Sequence, residues 1–174
     1  IGDESFNDFE TDASGNLWVA TTYSPGVEGS LGGKIYKREK GTTTSWSQVT
    51  TIPNVYRTEI EASETNPDKF YILAEDLLDK ASLWIPTDAF ASISPLNEPN
   101  DADLDIPASD FARGQAFYNL MIESDPTDDN IVYAGGIDLF RSTNSGESWK
   151  QISKWADNPN LDQLPVSEVH ADHH

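Results

Sequence analysis

The same succession of short apolar segments and polar turns occurs three times along the chain. The clearest copy occupies 117–152. It contains four strand-like segments in order: 117–122, 131–134, 137–140 and 150–152. Apolar runs this short, broken by turns rich in Gly, Pro, Asn and Asp, favour strands over helices. Each copy is therefore predicted to form four antiparallel strands, and stacked copies would bury one another's apolar faces.

Two earlier segments follow the same order. In the second copy, Tyr71 stands in the apolar run 70–73 at the place of Tyr133 in the third copy. In the first copy the corresponding run is 17–20, and a Gly-rich insertion at 24–33 predicts a longer loop. A weak helix-like pattern is confined to 73–81.

The third copy ends in an octapeptide turn, Ser142-Thr143-Asn144-Ser145-Gly146-Glu147-Ser148-Trp149. It matches the pattern Ser-x-Asp-x-Gly-x-Thr-Trp, with Asn144 at the Asp position and Ser148 at the Thr position. Ser and Asn side chains hydrogen-bond nearby backbone in tight turns, and Gly146 allows a backbone geometry that other residues resist. Trp149 is expected to anchor the turn on its own sheet, so the motif predicts structure rather than catalysis.

On this motif the chain resembles the Asp-box (BNR) repeat β-propellers, which include sialidases, xyloglucan-type endoglucanases and sortilin-like receptors. Segments at 15–21, 57–60, 125–127, 135–137 and 169–173 are similar to large secreted proteins of Bacteroidetes that carry a type IX secretion sorting domain. The resemblance runs from about residue 6 to the end, departs at 86–110 and includes no sorting domain. It implies a secreted or cell-surface location.

The predicted fold class is an all-β, partial β-propeller of four-stranded antiparallel blades over 1–174. The predicted divisions are a blade at 6–52, a blade at 56–95, an irregular acidic loop at 96–110, a blade at 111–155 and the first strand of a next blade at 166–173. Propellers have about four to eight blades. Three blades and one strand leave an open edge, so the ring requires the remaining blades of a longer chain or a self-associated copy.

The charge balance excludes several partner classes. Eleven basic residues against 30 acidic ones give a net charge of −19, which disfavours nucleic acid and anionic membranes. No apolar run is long enough for a membrane-spanning helix. The chain has no cysteine, which excludes disulfides and thiolate chemistry. The acidic surface favours solubility, and calcium binding is the sharper alternative.

By the resemblance, ligands would bind at the top of the central channel, near the starts of the innermost strands. The residues expected there mix basic, amide, aromatic and imidazole groups suited to a polar ligand such as a glycan or a protein surface. The predicted ligand-binding residues are Arg57, Gln115, Tyr118, Asn119, His170 and His173. Alternatively, these groups satisfy one another and channel water.

Two segments suggest metal ligands. If the C-terminal segment is a strand, His170, Asp172 and His174 share one face and could bind a divalent ion. Asp101, Asp103 and Asp105 have the spacing that opens a calcium loop. Ile106 occupies the position where an EF-hand requires Gly, so only an irregular calcium site or a solvated loop remains.

The sequence leaves two function classes open. One is a non-catalytic binding module with a glycan or extracellular protein as ligand. The other is a glycoside hydrolase, sialidase-like or of the xyloglucan endoglucanase type, which requires paired carboxylates; Glu59 and Asp172 are the weak candidates. A sialidase would need three substrate-binding arginines, which the four arginines of this chain do not readily supply. Without a complete catalytic set, binding is favoured.

Overall fold

The computed structural model describes residues 3–26, 31–155, 159–162 and 164–173. The described residues form three four-stranded antiparallel sheets in which strand order follows chain order, as the sequence predicts. The strands of these sheets are β1 (Ser5–Thr11), β2 (Leu17–Thr22), β3 (Lys34–Arg38), β4 (Ser47–Thr51), β5 (Val55–Ala62), β6 (Phe70–Asp76), β7 (Ala81–Thr87), β8 (Ser92–Pro95), β9 (Met121–Asp125), β10 (Asp128–Gly135), β11 (Leu139–Ser142) and β12 (Lys150–Gln151).

The three sheets are stacked as blades, and β6 shows why. Its first five residues, 70–74, form an unbroken apolar run because both faces of the strand are covered. Phe70 and Ile72 face the first sheet, whereas Tyr71 and Leu73 face the third. The middle blade is therefore held from both sides by apolar contacts.

Each contact between blades has its own core. Between the first and second blades, the Trp18 ring lies 4.5 Å from that of Phe70 and 5.2 Å from that of Phe90. Between the second and third blades, Phe111 meets Phe140 edge-on at 5.6 Å. The first strands of the blades, β1, β5 and β9, are neighbours, so they form the inner edge of the stack.

The turn between the first two strands is built alike in every blade. Asp12, Ser63 and Asp125 each accept hydrogen bonds from backbone N–H groups two to four residues further on. Asp12 also accepts the indole N–H of Trp18 at 2.8 Å. The repeat seen in the sequence is thus a repeat of side-chain-capped turns.

The octapeptide turn of the third blade is closed by its own side chains. Ser142 Oγ accepts the Gly146 N–H at 2.9 Å, and Asn144 Oδ1 accepts the Ser148 N–H at 3.0 Å. Gly146 has φ 84°, a left-handed conformation that favours glycine. Trp149 is half-buried and donates its indole N–H to the Asn97 carbonyl at 2.8 Å, so it joins its own blade to the segment after β8.

Three predicted segments differ from the observed elements. The segment 117–122 begins as hydrogen-bonded turns, and β9 starts only at Met121. The predicted strand at 166–173 is reduced to β14 (Ser167–Glu168), which pairs in parallel with β13 (Ser153–Lys154). The helix-like stretch at 73–81 is wrong, because β6 and β7 meet there through a tight turn in which the Asp76 carboxylate accepts two backbone N–H groups.

The outer face of the first blade carries apolar side chains that no described residue covers fully. Phe6, Phe9, Val19 and Trp46 line a cavity of about 270 Å³ on this face. Within the described part of the chain, the one helical element is the 3-10 turn Pro159–Leu161, and no helix is long and apolar enough to cross a membrane.

Candidate functional site

A cavity of about 570 Å³ lies where the inner strand β5 begins. Residues from all three blades reach it, because the starts of first strands and the ends of second strands share one end of an antiparallel sheet. The residues that line the cavity are Asn7, Thr22, Tyr23, Tyr56, Arg57, Glu75, Asp79 and Phe117.

Three aromatic rings border this cavity. Tyr23 and Tyr56 meet edge to face, with centroids 5.8 Å apart and ring planes at 77°. The Tyr56 carbonyl accepts the Tyr23 N–H at 2.6 Å, which fixes the pair. Phe117 is 60% exposed. Its apolar ring therefore lies in water, an arrangement that costs free energy unless a ligand covers it.

The Gly-rich insertion helps to shape the same wall. A Cβ atom on Gly32 would collide with the Tyr56 carbonyl oxygen, so glycine alone allows the chain to pass this close. Residues 27–30 of the insertion lie outside the described residues. Gly32 thus has a local role in seating Tyr56 at the cavity.

Arg57 joins all three blades at this end of the molecule. Its Nε donates to Glu59 Oε1 at 2.6 Å and its Nη1 donates to the Tyr118 carbonyl at 2.6 Å. Asn7 Nδ2 of β1 donates to the same Glu59 oxygen at 2.8 Å. Burial raises the pKa of Glu59 above its ordinary value, although the Arg57 charge opposes the shift. The Arg57 guanidinium is therefore hydrogen-bonded to groups of the protein itself.

Two further carboxyl groups face the cavity. Glu75, near the end of β6, is buried, and Asp79 lies exposed in the turn after it. Burial, aided by the Asp79 charge, raises the pKa of Glu75 to about 7, and the Arg57 charge opposes this shift. Glu75 can therefore donate or accept a proton near neutral pH.

Of the other predicted ligand-binding residues, three lie beside the cavity without lining it. Tyr118 is 47% exposed and contributes its carbonyl to Arg57. Gln115 is exposed, whereas Asn119 is buried and donates to the Gln115 side chain at 3.3 Å. Within the turn 115–119, Phe117 lines the cavity, while Gln115, Tyr118 and Asn119 make contacts within the protein.

The C-terminal candidates do not line this cavity. His170 is exposed and approaches Asp172 at 3.3 Å, and His173 packs against Gly135 of the third blade. Residues 169–173 are not a strand, so His170 and Asp172 do not share a strand face; His174, the third predicted member, lies outside the described residues. The structure does not bring Asp172 together with Glu59 in the described cavity.

Two of the three aspartates predicted to bind calcium, Asp101 and Asp103, hold a guanidinium. Arg113 donates to Asp101 Oδ2 at 2.9 Å and approaches Asp103 and Asp138 at 3.4 and 3.3 Å. The Asn160 amide, together with Arg113, holds the pKa of Asp103 below its ordinary value. Asp105 accepts from Asn160 at 3.3 Å. Arg113 thus occupies the position that a cation would take.

Metal ligands in general are not grouped in the part of the chain that the structure describes. No set of three or more His, Asp or Glu side chains there is arranged to hold a metal ion. The acidic segment 96–110 is tied to the third blade by hydrogen bonds, including the one from the Ala102 N–H to Gln151 at 2.8 Å. The acidic loop therefore has a structural explanation in its contacts with Arg113 and Gln151.

A second cavity, of about 460 Å³, lies at the other end of the inner strands. Glu10, Glu61, Glu64 and Glu123 line it together with Ser124 and neutral neighbours. Burial and the surrounding carboxylates raise the pKa of Glu10 to about 8, and burial raises that of Glu61 to about 7. Glu61 accepts both the Ser124 N–H and its hydroxyl. Among the residues described at this cavity, none is basic.

Sequence reasoning found Arg57 and missed most of the lining of the larger cavity. Tyr56 is adjacent to Arg57, and the sequence could have indicated its role at the cavity because an aromatic residue stands at the start of an inner strand. Glu75 lies within the helix-like pattern at 73–81, and Tyr23 stands at the edge of the Gly-rich loop. Their convergence depends on how the first two blades pack, which local patterns do not report.

Comparisons with known proteins agree on the fold. No family model matches the chain, and no curated protein matches it. Solved structures do: the GH74 enzyme of Niastella koreensis (TM-score 0.57) and the GH74 xyloglucanase of Xanthomonas campestris (0.59), each 14% identical, cover 98% and 97% of this chain. YCF48 bound to a D1 peptide, also 14% identical, covers 88% at TM-score 0.56.

This chain corresponds to only part of each of those proteins. It covers 23% of the Niastella enzyme, 29% of the Xanthomonas enzyme and 41% of YCF48. At this level of identity the likeness concerns architecture alone. With three antiparallel four-stranded sheets stacked around a common inner edge, the chain has the β-propeller fold.

Proposed function

We propose that this chain is a binding module of the Asp-box (BNR) type, secreted or displayed at the cell surface, whose 570 Å³ cavity binds a glycan. The observation that carries the proposal is the lining of that cavity: exposed aromatic rings beside an amide, a guanidinium and carboxyl groups. Extracellular location rests on the sequence resemblance and is part of the same proposal.

Saccharides fit this lining for a physical reason. A pyranose has apolar C–H faces and a rim of hydroxyl groups, so it needs both aromatic surface and hydrogen-bonding groups. Tyr56 and Phe117 supply the surface, while Asn7 and Glu75 stand beside them. The carboxyl group of Glu75 can accept or donate, because its pKa of about 7 leaves both forms populated near neutral pH.

The direct test is calorimetric titration of the protein with a panel of β-linked oligosaccharides. Tyr56→Ala and Phe117→Ala should each weaken binding about tenfold or more, because each removes stacking surface. Trp155→Ala is the matched control, since Trp155 is 47% exposed but does not line the cavity. Equal losses in all three variants, or the absence of any binding, would reject the proposal.

Hydrolysis is the second candidate, and one observation favours it. Glu75 has a pKa of about 7, the protonation behaviour required of a general acid, and Asp79 is a second carboxylate at the same cavity. Of the two carboxylates suggested by the sequence, Glu59 is paired with Arg57, and Asp172 lies beside His170 in the C-terminal segment. If the protein releases reducing ends from an oligosaccharide, and Glu75→Gln abolishes this release without loss of binding, hydrolysis is established. If the oligosaccharides stay intact after prolonged incubation, binding remains the function.

A further inference from the structure

The charge of the 570 Å³ cavity restricts which glycan it can accept. Among its described lining residues, Arg57 is the single basic side chain, and Glu59 and two backbone carbonyls use its N–H groups. Glu75 and Asp79 have no comparable ion pair among the described residues. When both are ionised, the cavity is negatively charged.

The aromatic rings favour the same kind of ligand as the carboxyl groups. The face of an aromatic ring carries negative charge density and attracts cations. Tyr23 and Tyr56 stand at 77° to each other, and Phe117 exposes its ring at the same cavity. Aromatic rings beside carboxyl groups therefore suit an ammonium group.

The charge of the whole chain acts in the same direction. A net charge of −19 raises the local concentration of cations and repels sulfated, uronic or sialylated saccharides. An anionic glycan would also approach Glu75 and Asp79 with no unused cation among the lining residues to receive it. The cavity is therefore mismatched to acidic sugars and matched to a basic one.

From this geometry we propose, on the basis of the glycan-binding function above, that the cavity recognises the protonated amine of an unacetylated amino sugar. The ammonium group lies between the carboxylates of Glu75 and Asp79, and the sugar ring stacks on the neighbouring aromatic side chains. An N-acetyl group in this position would remove the charge and place an uncharged amide beside two carboxylates.

Three probes that differ only at one carbon test this inference. A short β-1,4 oligomer of glucosamine, its fully N-acetylated form and the corresponding glucose oligomer carry an ammonium, an acetamide and a hydroxyl group at C2. In calorimetric titrations near neutral pH, the glucosamine oligomer should bind about tenfold or more tightly than either of the others. Equal affinities would overturn the amine proposal while leaving glycan binding intact, and no binding of any probe would reject both.

Variants locate the effect and exclude general attraction to an acidic protein. Glu75→Gln with Asp79→Asn should abolish the preference for the amine, so that the variant binds the glucosamine and glucose oligomers with equal affinity. Asp68→Asn with Asp128→Asn, two exposed carboxylates that do not line the cavity, should leave the preference unchanged. If tetralysine binds as tightly as the glucosamine oligomer, or if both double variants lose the preference equally, the saccharide inference is wrong.

Discussion

Buried carboxyl groups are neutralised differently at the two ends of the inner strands. At the end where β5 begins, Glu59 is held by Arg57 and Asn7 within hydrogen-bonding distance. At the opposite end, Glu10 and Glu61 face other carboxylates and no basic lining residue. Charge is neutralised by a guanidinium in the first case and by bound protons in the second, since burial raises the carboxyl pKa values to about 8 and 7.

This difference shows that two carboxyl groups two residues apart on one strand can be stabilised in different ways. Glu59 and Glu61 alternate with buried apolar residues on β5 and point to the same side. Arg57 holds Glu59 in an ion pair and donates to the Tyr118 carbonyl, whereas Glu61 accepts hydrogen bonds from Ser124 and faces other carboxylates. Loss of the arginine should therefore destabilise the first end, and loss of a carboxylate should stabilise the second.

The largest effect is expected from Arg57→Gln, which removes the neutralising cation at one end. Glu59 would remain buried without its ion pair, and the bonds to the Tyr118 and Leu120 carbonyls would be lost. Urea unfolding should show a loss of about 3 kcal/mol, at the lower limit for a broken buried pair because Arg57 is partly exposed. Arg141→Gln, in which an arginine over the Tyr133 ring is changed, should cost less than about 1 kcal/mol. A similar stability of the two variants would contradict the comparison.

A smaller effect is expected from pH alone, acting on buried carboxyl groups at both ends of the inner strands. The raised pKa values of Glu10, Glu61 and Glu75 mean that the folded protein binds more protons than the unfolded chain between about pH 5 and pH 8. The free energy of unfolding should therefore fall as pH rises through this window, by about 2 kcal/mol after allowance for solvent screening. Unfolding curves that coincide at the two limits would show that these three carboxyl groups do not hold protons in the folded state.

Glu61→Gln should remove part of that pH dependence. The glutamine oxygen can still accept the Ser124 N–H, while the charge that burial disfavours is gone. At about pH 8 the variant should be more stable than the unmodified protein by about 1 kcal/mol, and at about pH 5 the two should agree. The exposed Glu147→Gln serves as control and should leave both values unchanged. A destabilised Glu61→Gln at both pH values would make the ionised carboxylate itself the stabilising group.

The smallest effect is expected from salt. Raising sodium chloride from about 0.05 M to about 0.5 M shortens the screening length and weakens repulsion among the carboxylates. The melting temperature should rise by a few degrees at about pH 8 and by less at about pH 5, where Glu10 and Glu61 are protonated. An equal rise at both pH values would assign the effect to the net charge of −19 rather than to the acidic cavity.

Much of the architecture could be predicted from the sequence because its causes are local. Alternation and short apolar runs specify strands, and Asp12, Ser63 and Asp125 specify turns that close on their own backbone. The octapeptide turn at Ser142 closes likewise through neighbouring side chains. Where local signals were weak, at 117–122 and 166–173, the predicted strands were longer than the observed ones.

Of the residues that line the candidate site, the sequence could predict Arg57, because it stands at the start of an inner strand. Glu75, Tyr23 and Phe117 come from three different blades and meet because β2, β6 and the turn before β9 end at the same face. The pairing of Arg113 with Asp101 and Asp103, in the segment where the sequence suggested a calcium site, likewise joins residues whose spacing along the chain gave no hint of contact.

The sequence by itself thus determined most of the strands, the turns between them and the three consecutive copies of the repeat. Hydrogen bonds between near neighbours and the period of two act within a few residues. The tertiary structure alone decided which carboxylates meet a guanidinium, which meet one another, and which aromatic rings surround a cavity. Those outcomes depend on burial and on distances between blades, and electrostatic and packing energies are set by such distances rather than by order along the chain.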